Sequence, residues 1–237
     1  TDSSLTGVAY QPVSTVLAWN LTGGDGSKTV YARFRDGAGN ESAIASTTVA
    51  LDTTRPSSPS VTLAGNGWNR TGSVLATLSA IGATQMRVTV IDGDGTRGVS
   101  DWETYATSKS LTLPTAAQGL KRVEAEFRDA AGNVSDLASS QLTYDSVAPA
   151  SPTVSVPGGA FATSVNVTLA LDAIGATEML VAADGTIDTE SWEAFARSKN
   201  VVVSAAQGLK TIRGRYRDAA GNQSDDATAT LTLDTLV

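Results

Sequence analysis

One ten-residue stretch occurs three times in this chain, as Tyr31-Ala-Arg-Phe-Arg-Asp-Gly-Ala-Gly-Asn40, Glu124-Ala-Glu-Phe-Arg-Asp-Ala-Ala-Gly-Asn133 and Arg213-Gly-Arg-Tyr-Arg-Asp-Ala-Ala-Gly-Asn222. The first half of each copy alternates in the period of a half-buried strand. The second half combines an aspartate, small residues and an asparagine, which is the composition of a tight turn. We therefore predict three strands, each running into a hairpin turn whose glycine adopts a positive φ. The predicted turn residues are Asp36, Gly39, Asn40, Asp129, Gly132, Asn133, Asp218, Gly221 and Asn222.

This turn has two interpretations. As a ligand site it would bind an anion, with Arg128 and Arg217 as donors. As a structural element it would satisfy its own backbone, because Asp and Asn side chains readily accept or donate hydrogen bonds to residues close by in sequence. We favour the structural interpretation.

The spacing of the copies gives the domain size. Asp129 follows Asp36 by 93 positions, and Asp218 follows Asp129 by 89. A period near ninety residues fits one β-sandwich, and six or seven short strands without helix signals are typical of an immunoglobulin-like sandwich. We predict an all-β chain of tandem immunoglobulin-like β-sandwiches. It divides into a first segment (residues 1–55, the C-terminal half of a module), a middle module (56–148) and a last module (149–237).

Composition excludes several classes of function. The chain has no cysteine and no histidine, so disulfides and sites built on thiolate or imidazole are excluded. A formal charge of −7 argues against nucleic acid as a partner. No apolar run is long enough to span a membrane, and no signal peptide opens the chain. If the parent protein is exported, we expect this chain to come from its interior.

Strands are predicted from alternation and from turn residues. In the first segment they lie near Ala18–Leu21, Thr29–Arg35 and Thr47–Leu51. In the middle module they lie near Ser60–Ala64, Ser73–Ser79, Met86–Ile91, Ser110–Leu113, Lys121–Arg128 and Ser139–Tyr144. In the last module they lie near Thr153–Val156, Ser164–Ala170, Met179–Ala183, Asn200–Val203, Thr211–Arg217 and Ala227–Leu233.

The first segment lacks counterparts of the opening strands of a sandwich. Its apolar face, with Val30 and Phe34, and its Trp19 would be uncovered, and such a remnant is marginal in water. We expect it to be covered by the missing half of its module, by another chain or by the adjacent module. The two junctions, Leu51–Pro59 and Tyr144–Pro152, each carry two prolines and are predicted to be semi-rigid spacers.

Several motifs recur in the same order in the modules. They are the Asp-Gly-Thr loop at 184–186, Trp-Glu-x-Tyr/Phe-Ala-x-Ser-Lys at 102–109 and 192–199, Gly-x-Lys, Arg-Asp-x-Ala-Gly-Asn and the Asp-Thr/Ser-x-x-Pro junction. This series resembles the tandem bacterial immunoglobulin-like domains of large surface proteins and adhesins.

The resemblance implies a structural spacer in a secreted or surface-anchored bacterial protein of adhesin or surface-layer type, located at the cell surface. No cofactor is expected in the first instance. The resemblance raises calcium as the alternative, bound at the junctions by Asp52 and Asp145, since calcium prefers oxygen ligands. The partners would be neighbouring modules of the same chain and another chain completing residues 1–55, with no membrane span.

Two alternative functions remain open. One is a glycan- or protein-binding module, with a host protein as partner; the other is a self-assembling subunit whose half-module is completed by another chain. Trp102 and Trp192 could form a sugar platform, although filling the core or anchoring a loop suits them better. Trp68 is the candidate for an exposed aromatic. No enzyme activity is expected, because no cleft accompanies the acidic pair Asp101 and Glu103.

Overall fold

The structure, a computed structural model, describes residues 4–21 and 23–236 of the chain. Within these residues the regular secondary structure consists of β-strands alone, which confirms the predicted all-β class. In the first segment, β1 (Gly26–Ala32) and β2 (Ala45–Leu51) form a two-stranded antiparallel ribbon. In the same described residues, no helix is long and apolar enough to cross a membrane.

The middle module is a sandwich of two sheets. Its strands are β3 (Ser57–Leu63), β4 (Trp68–Asn69), β5 (Ser73–Ile81), β6 (Gln85–Asp92), β7 (Arg97–Val99), β8 (Glu103–Thr104), β9 (Ser108–Thr112), β10 (Gly119–Arg128) and β11 (Ala138–Tyr144). One sheet has the order β3-β5-β9. The other has the order β4-β11-β10-β6-β7, and β8 pairs with β6. This two-sheet arrangement is that of an immunoglobulin-like sandwich.

The last module repeats this arrangement. Its strands are β12 (Ala150–Ser155), β13 (Phe161–Ala162), β14 (Asn166–Ile174), β15 (Glu178–Ala182), β16 (Glu193–Ala194), β17 (Ser198–Val202), β18 (Gly208–Arg217) and β19 (Ala227–Leu233). The sheets have the orders β12-β14-β17 and β13-β19-β18-β15-β16. The chain thus forms two complete sandwiches after the β1–β2 ribbon.

Each sandwich encloses its own apolar core. Phe127 of β10 and Tyr216 of β18 are both fully buried between the sheets. Each ring meets another ring edge-on at a centroid distance of 5.8 Å, Phe127 with Tyr105 and Tyr216 with Phe195. Edge-to-face packing is a favoured aromatic geometry. A module this poor in aromatic residues therefore uses its large rings mainly to fill the core.

The twelve strands predicted for the two complete modules are all present, with ends shifted by up to four residues. The strands of two or three residues (β4, β7, β8, β13 and β16) were not predicted, because they are too short to show alternation. The domain boundaries at 55/56 and 148/149 stay predictions.

In the first segment the predicted strand at Ala18–Leu21 is wrong, because these residues have no regular structure. Aligned on the repeated turn, they correspond to the end of β9, which forms by pairing with β5. Among residues 4–21 and 23–55 there is no counterpart of β5, so the backbone at Ala18–Leu21 has no described strand to pair with. The other two predicted strands of this segment are observed as β1 and β2.

Candidate functional site

The repeated turn closes on itself in the same way in all three copies. In the middle copy, Asn133 donates its backbone N–H to Asp129 Oδ1 at 2.9 Å and its side-chain amide to Asp129 Oδ2 at 2.9 Å. Asp36 and Asp218 accept the equivalent pairs of hydrogen bonds from Asn40 and Asn222. The closing glycines lie at φ between +85° and +94°, where other residues are strained. These are the Asx-turn contacts expected of a structural element.

These hydrogen bonds also set the charge state of the aspartates. The hydrogen bond from the Asn40 side chain, followed by that from its backbone, lowers the pKa of Asp36 below its ordinary value. Burial raises the pKa of Asp129, but the hydrogen bonds from Asn133 outweigh burial, so that this pKa is also lowered. Asp36 and Asp129 therefore remain ionised at neutral pH, which keeps their turns closed.

The asparagine of each complete module has a second partner outside its turn. Asn133 Nδ2 donates to the carbonyl oxygen of Asp52 at 3.0 Å, and Asn222 Nδ2 donates to that of Asp145 at 2.8 Å. Asp52 and Asp145 lie in the two junctions, just after β2 and β11. The repeated turn of a module therefore binds the linker by which the chain enters that module.

A second repeated contact holds each linker to the module that precedes it. Gln118 Oε1 accepts the backbone N–H of Ser146 at 2.8 Å, and its Nε2 donates to Ser146 Oγ at 3.1 Å. Gln207 makes the same two bonds to Thr235, two residues after the end of β19. Each of these residues precedes the Gly-x-Lys motif by one position, a regularity that could have pointed to them from the sequence.

At the first junction an aspartate makes the equivalent contact. Asp25 Oδ1 accepts both the backbone N–H of Thr53 at 2.8 Å and its hydroxyl at 2.7 Å, while Oδ2 accepts the hydroxyl of Thr54. Hydrogen bonds from Thr54 and then Thr53 lower the pKa of Asp25 to about 2. We call Asp25, Gln118 and Gln207, together with the linker residue each one binds, the linker clamps.

The junction aspartates turn their carboxylates toward their own chain. Asp52 Oδ1 accepts the N–H of Thr54 at 3.1 Å and Asp145 Oδ1 accepts that of Val147 at 3.0 Å. Asp234 forms the same local turn with Leu236. An aspartate placed in this way bends the chain into the linker by a local hydrogen bond.

Calcium needs six to eight oxygen ligands. Among residues 4–21 and 23–236, no group of three or more acidic, His or Cys side chains could hold a metal ion. The acidic side chains at Asp52 and Asp145 therefore do not make a calcium site by themselves. Calcium binding there stays a prediction, and it is tested by chelation. Bound calcium would raise the melting temperature and chelator would lower it, whereas unchanged melts would leave two turn-forming aspartates.

Each junction also has a contact that is not repeated. Arg55 of the first linker forms an ion pair with Asp136 of the middle module at 2.6 Å, with both side chains largely exposed. Arg70 of the middle module donates to the carbonyl oxygen of Gly221 in the turn of the last module. An exposed pair of this kind contributes little stability, so we take the repeated hydrogen bonds as the defining contacts.

Arginine side chains cover the tryptophan of the repeated Trp-Glu motif in both complete modules. The guanidinium carbon of Arg128 lies 4.5 Å from the ring centre of Trp102, and Arg87 lies 4.8 Å from it. Arg217 stacks on Trp192 at 4.4 Å. These rings are half-buried under cations, a stabilising cation–π arrangement. Their geometry is that of loop anchors, and it leaves the ring faces less open for stacking on a sugar.

Trp68 lies at the start of β4, on the edge of the larger sheet, and is 37% exposed. Phe161 occupies the equivalent place at the start of β13 and is 73% exposed. Both rings adjoin the last strand of their module through a short parallel pairing. Scattered exposed aromatics are normal on a protein surface, and a binding role for Trp68 stays a prediction.

Comparisons with known proteins give the following. No protein family model matches the chain, and no curated protein matches it. Among solved structures, the chain is similar to the fibronectin(III)-like modules of CbhA from Clostridium thermocellum, with a TM-score of 0.46, 14% identity, and coverage of 73% of this chain and 94% of that one. It is similar to the FN1–FN3 domains of chicken CNTN1, with a TM-score of 0.40, 10% identity, and coverage of 84% and 75%.

A third similar structure is the BSP domain of a biofilm associated protein, with a TM-score of 0.28, 15% identity, and coverage of 73% of this chain and 29% of that chain. All three TM-scores lie below 0.5. The assignment of tandem all-β immunoglobulin-like sandwiches therefore rests on the strand order and the two cores described above.

Proposed function

We propose that this chain is a stiff spacer segment of a secreted or surface-anchored bacterial protein, of adhesin or surface-layer type, that holds other parts of its parent at a distance. One observation carries the proposal. In the middle module the two ends of one strand bind the two junctions. Gln118 precedes β10 and binds the outgoing linker, and the turn containing Asn133 follows β10 and binds the incoming linker.

The last module has the same design. Gln207 precedes β18 and binds Thr235, two residues after the end of β19, while Asn222 follows β18 and binds the linker that enters the module. A ten-residue strand is about 33 Å long. The middle module therefore separates its two junctions by about the length of one strand, and the last module places its equivalent contacts equally far apart. In this way a repeat array converts added modules into reach.

The linkers themselves favour limited bending. Each is short and carries one proline, Pro56 or Pro149, whose φ is fixed. The second proline of each predicted junction, Pro59 or Pro152, lies in the strand that follows, β3 or β12. Clamped on one side by the preceding module and on the other by the following turn, such a linker keeps fewer free backbone torsions than a Gly/Ser-rich tether. The hydrogen bonds are individually modest, about 0.5–1.5 kcal/mol each, so stiffness depends on their combination.

The test replaces the asparagine that binds the second linker. Asn222→Ala removes the bond to Asp145 O while leaving both cores intact, and we expect wider relative motion of the middle and last modules. Residual dipolar couplings report the relative order of the two modules, and small-angle scattering reports the spread of their separation. Both should show a more mobile pair.

The first segment offers a matched control. Asn40 makes the same turn bonds to Asp36 as Asn222 makes to Asp218. No bond from Asn40 to a linker is seen in the described residues. Asn40→Ala should leave the order between the middle and last modules unchanged. If Asn222→Ala has no larger effect than Asn40→Ala, the junction bonds do not stiffen the chain and the proposal fails.

A further inference from the structure

The β1–β2 ribbon corresponds residue by residue to β10–β11 of the middle module. Gly26 pairs with Leu51 as Gly119 pairs with Tyr144, and the register continues along both ribbons. The side chains that are buried in one ribbon are exposed in the other. Phe34 is 53% exposed where Phe127 is 0%, and Val49 is 47% exposed where Leu142 is 2%. The first segment thus presents the inner face of a sandwich without its cover.

The middle module shows what covers this face. The outer edge of β10 pairs antiparallel with β6 over Lys121–Arg128, and its inner face packs on side chains of β3 and β5. The equivalent edge of the first segment is Lys28–Arg35, and among the described residues β1 has β2 as its one strand neighbour. Beside it lies a cavity of about 560 Å³, lined in part by Leu17, Trp19 and Phe34.

The charges along this open edge limit which kind of strand could pair with it. Lys121 is fully buried and donates to Asp92 of β6 and to the carbonyl oxygen of Ala117 at 2.8 Å. Lys28 stands at the equivalent position, and no carboxylate partner for it is seen in residues 4–21 and 23–236. In the last module the equivalent Lys210 is also buried and donates to Ser204 Oγ at 2.8 Å, so a lysine at this position can be satisfied by a carboxylate or by a hydroxyl. An incoming strand of the middle-module type, with an acidic residue opposite Lys28, would supply such a partner.

The same charges disfavour a second copy of this chain. The edge Lys28–Arg35 carries Lys28, Arg33 and Arg35 and has no acidic residue. Two such edges paired antiparallel would place cations opposite cations, which is destabilising. Each of the two complete modules also already uses its own opening strands in its own core.

The stacking contact of Tyr10 indicates how a strand bound at this edge would be oriented and where it would end. The guanidinium of Arg35 stacks on Tyr10 at 4.1 Å, as that of Arg128 stacks on Trp102 at 4.5 Å. Trp102 follows the end of β6 by ten positions. The residues just before Tyr10 therefore take the place of the chain that leaves a β6-like strand. By the same spacing such a strand would end ten positions before Tyr10, and by the pairing of β6 with β10 its last residue would lie opposite Lys28.

We propose that the open face of residues 4–55 is the docking surface for the first half of a module of this same repeat type. The occupant has three strands equivalent to β3, β5 and β6, and its third strand runs antiparallel to β1 with its C-terminal end opposite Lys28. That strand carries alternating apolar residues against Val30, Ala32 and Phe34, and an acidic residue opposite Lys28. Docking of a strand on an exposed sheet edge is an established mode of recognition.

The experiment fuses a copy of Ser57–Asp92 directly in front of Thr1, which restores the ten-position spacing to Tyr10. In this copy and in the peptide used below, Arg87 is replaced by leucine, because position 87 pairs with Glu126 in the middle module and the first segment has Arg33 there. The last module has Leu180 opposite Arg215 at this place. We expect the amides of Lys28–Arg35 to exchange with solvent about 100-fold more slowly or better, because an open edge becomes a central strand. The fluorine signal of fluorotryptophan at Trp19 should move toward that of a buried ring. Signals of the middle and last modules report in the same sample that the protein is folded.

Two controls separate docking from mere extension of the chain. A fusion whose copied segment carries Leu78→Asp and Val88→Asp should not protect the edge, since these two side chains are buried in the middle module. A fusion whose copied segment carries Asp92→Lys should protect it less, because a cation then faces Lys28.

A peptide of sequence Gln85–Asp92 added to the unfused chain provides a second measurement. It should slow exchange of the same amides, and its Asp92→Lys form should not.

Three results would overturn the proposal. The first is a folded fusion whose Lys28–Arg35 amides exchange as fast as in the unfused chain. The second is equal protection by the copied segments with and without Leu78→Asp and Val88→Asp. The third is a stable dimer of the unfused chain in light scattering with the β1 edge already protected, which would make a second copy the occupant.

Discussion

Gly132 is a residue whose role depends on backbone conformation alone. Its φ is +94°, and a Cβ built on it would meet no atom within 4 Å. Replacement by valine therefore adds strain at positive φ without a steric clash, and β-branched residues are especially unfavourable there. We expect Gly132→Val to destabilise the middle module by about 1–3 kcal/mol. Urea unfolding of the variant and the parent measures the difference.

Gly37 is the matched control, because it lies in the equivalent turn of the first segment, its φ is not positive and the space around it is open. The later copies carry alanine at this position, Ala130 and Ala219. Gly37→Ala should be neutral or slightly stabilising, since it restricts the unfolded chain. If the Gly132→Val protein unfolds at the same urea concentration as the parent, position 132 does not require a positive φ and the turn assignment is wrong.

Gly214 and Tyr216 form a coupled pair in the core of the last module. They stand where the middle module has Ala125 and Phe127. A Cβ at Gly214 would lie 2.5 Å from Val154 Cγ2 and 3.1 Å from the Tyr216 hydroxyl oxygen, which donates to Thr153 O at 2.5 Å. We expect Gly214→Ala to cost about 1–3 kcal/mol of stability through overpacking.

A double-mutant cycle tests the coupling. Tyr216→Phe removes the hydroxyl that crowds the new methyl group, so the cost of Gly214→Ala should be smaller in the Tyr216→Phe background. The clash with Val154 remains, so we expect partial rescue. Ala125→Gly in the middle module, where no hydroxyl needs room, is the reciprocal control and should be destabilising. Strict additivity of Gly214→Ala and Tyr216→Phe would contradict the pairing.

Asp25 makes the first linker clamp sensitive to acid. Its pKa is lowered to about 2 by hydrogen bonds from Thr54 and Thr53. Because the folded pKa lies below the ordinary aspartate value near 4, the stabilising contribution is complete above about pH 4 and is lost as pH falls through about 2. Carboxyl NMR should show Asp25 titrating about two units below a free aspartate.

Asp25→Gln converts this clamp to the type seen at Gln118 and is the control. Glutamine keeps an acceptor and a donor for Thr53 but does not titrate, so the Thr53 amide should stay protected at acid pH in this variant. Carboxyl titration of Asp25 at an ordinary aspartate pKa in the parent would show that the hydrogen bonds to Thr53 and Thr54 do not form.

At the scale of strands, the alternation of apolar and polar residues predicted strands correctly where a neighbouring strand is present. It predicted a strand wrongly where no such neighbour is present. The long strands of the two complete modules follow from period-two patterns with a buried face. Ala18–Leu21 shows an equally good pattern but forms no strand, because strand formation needs a neighbouring strand and the counterpart of β5 is absent. The local sequence pattern shows that a segment can form a strand, while pairing with a strand distant in sequence decides whether it does so.

The junctions contain contacts that could not be predicted from the sequence, because their partners are far apart along the chain. The hairpin turns follow from residue types with a known local preference. The second partner of Asn133, the carbonyl oxygen of Asp52, lies 81 positions earlier and has no local signature. The linker clamps were missed for the same reason, since Gln118 and Ser146 are 28 positions apart and meet only once β10 and β11 have paired.

At the scale of the whole molecule, the spacer proposal predicts a length increment. Inserting a second copy of residues 56–148 after Ala148 recreates a junction in which the Asn133 of the copy faces the Asp145 carbonyl before it. Because the two junctions of a module lie at opposite ends of a ten-residue strand, the maximum dimension should grow by about 30–40 Å. Small-angle scattering of the parent and the insertion variant measures this increment.

The same insertion with Asn133→Ala in the copy should extend less on average, since its new junction lacks the bond to the incoming linker. An increment well below one module length in the unmodified insertion would mean that the modules fold back at their junctions, and a stiff spacer would then be ruled out.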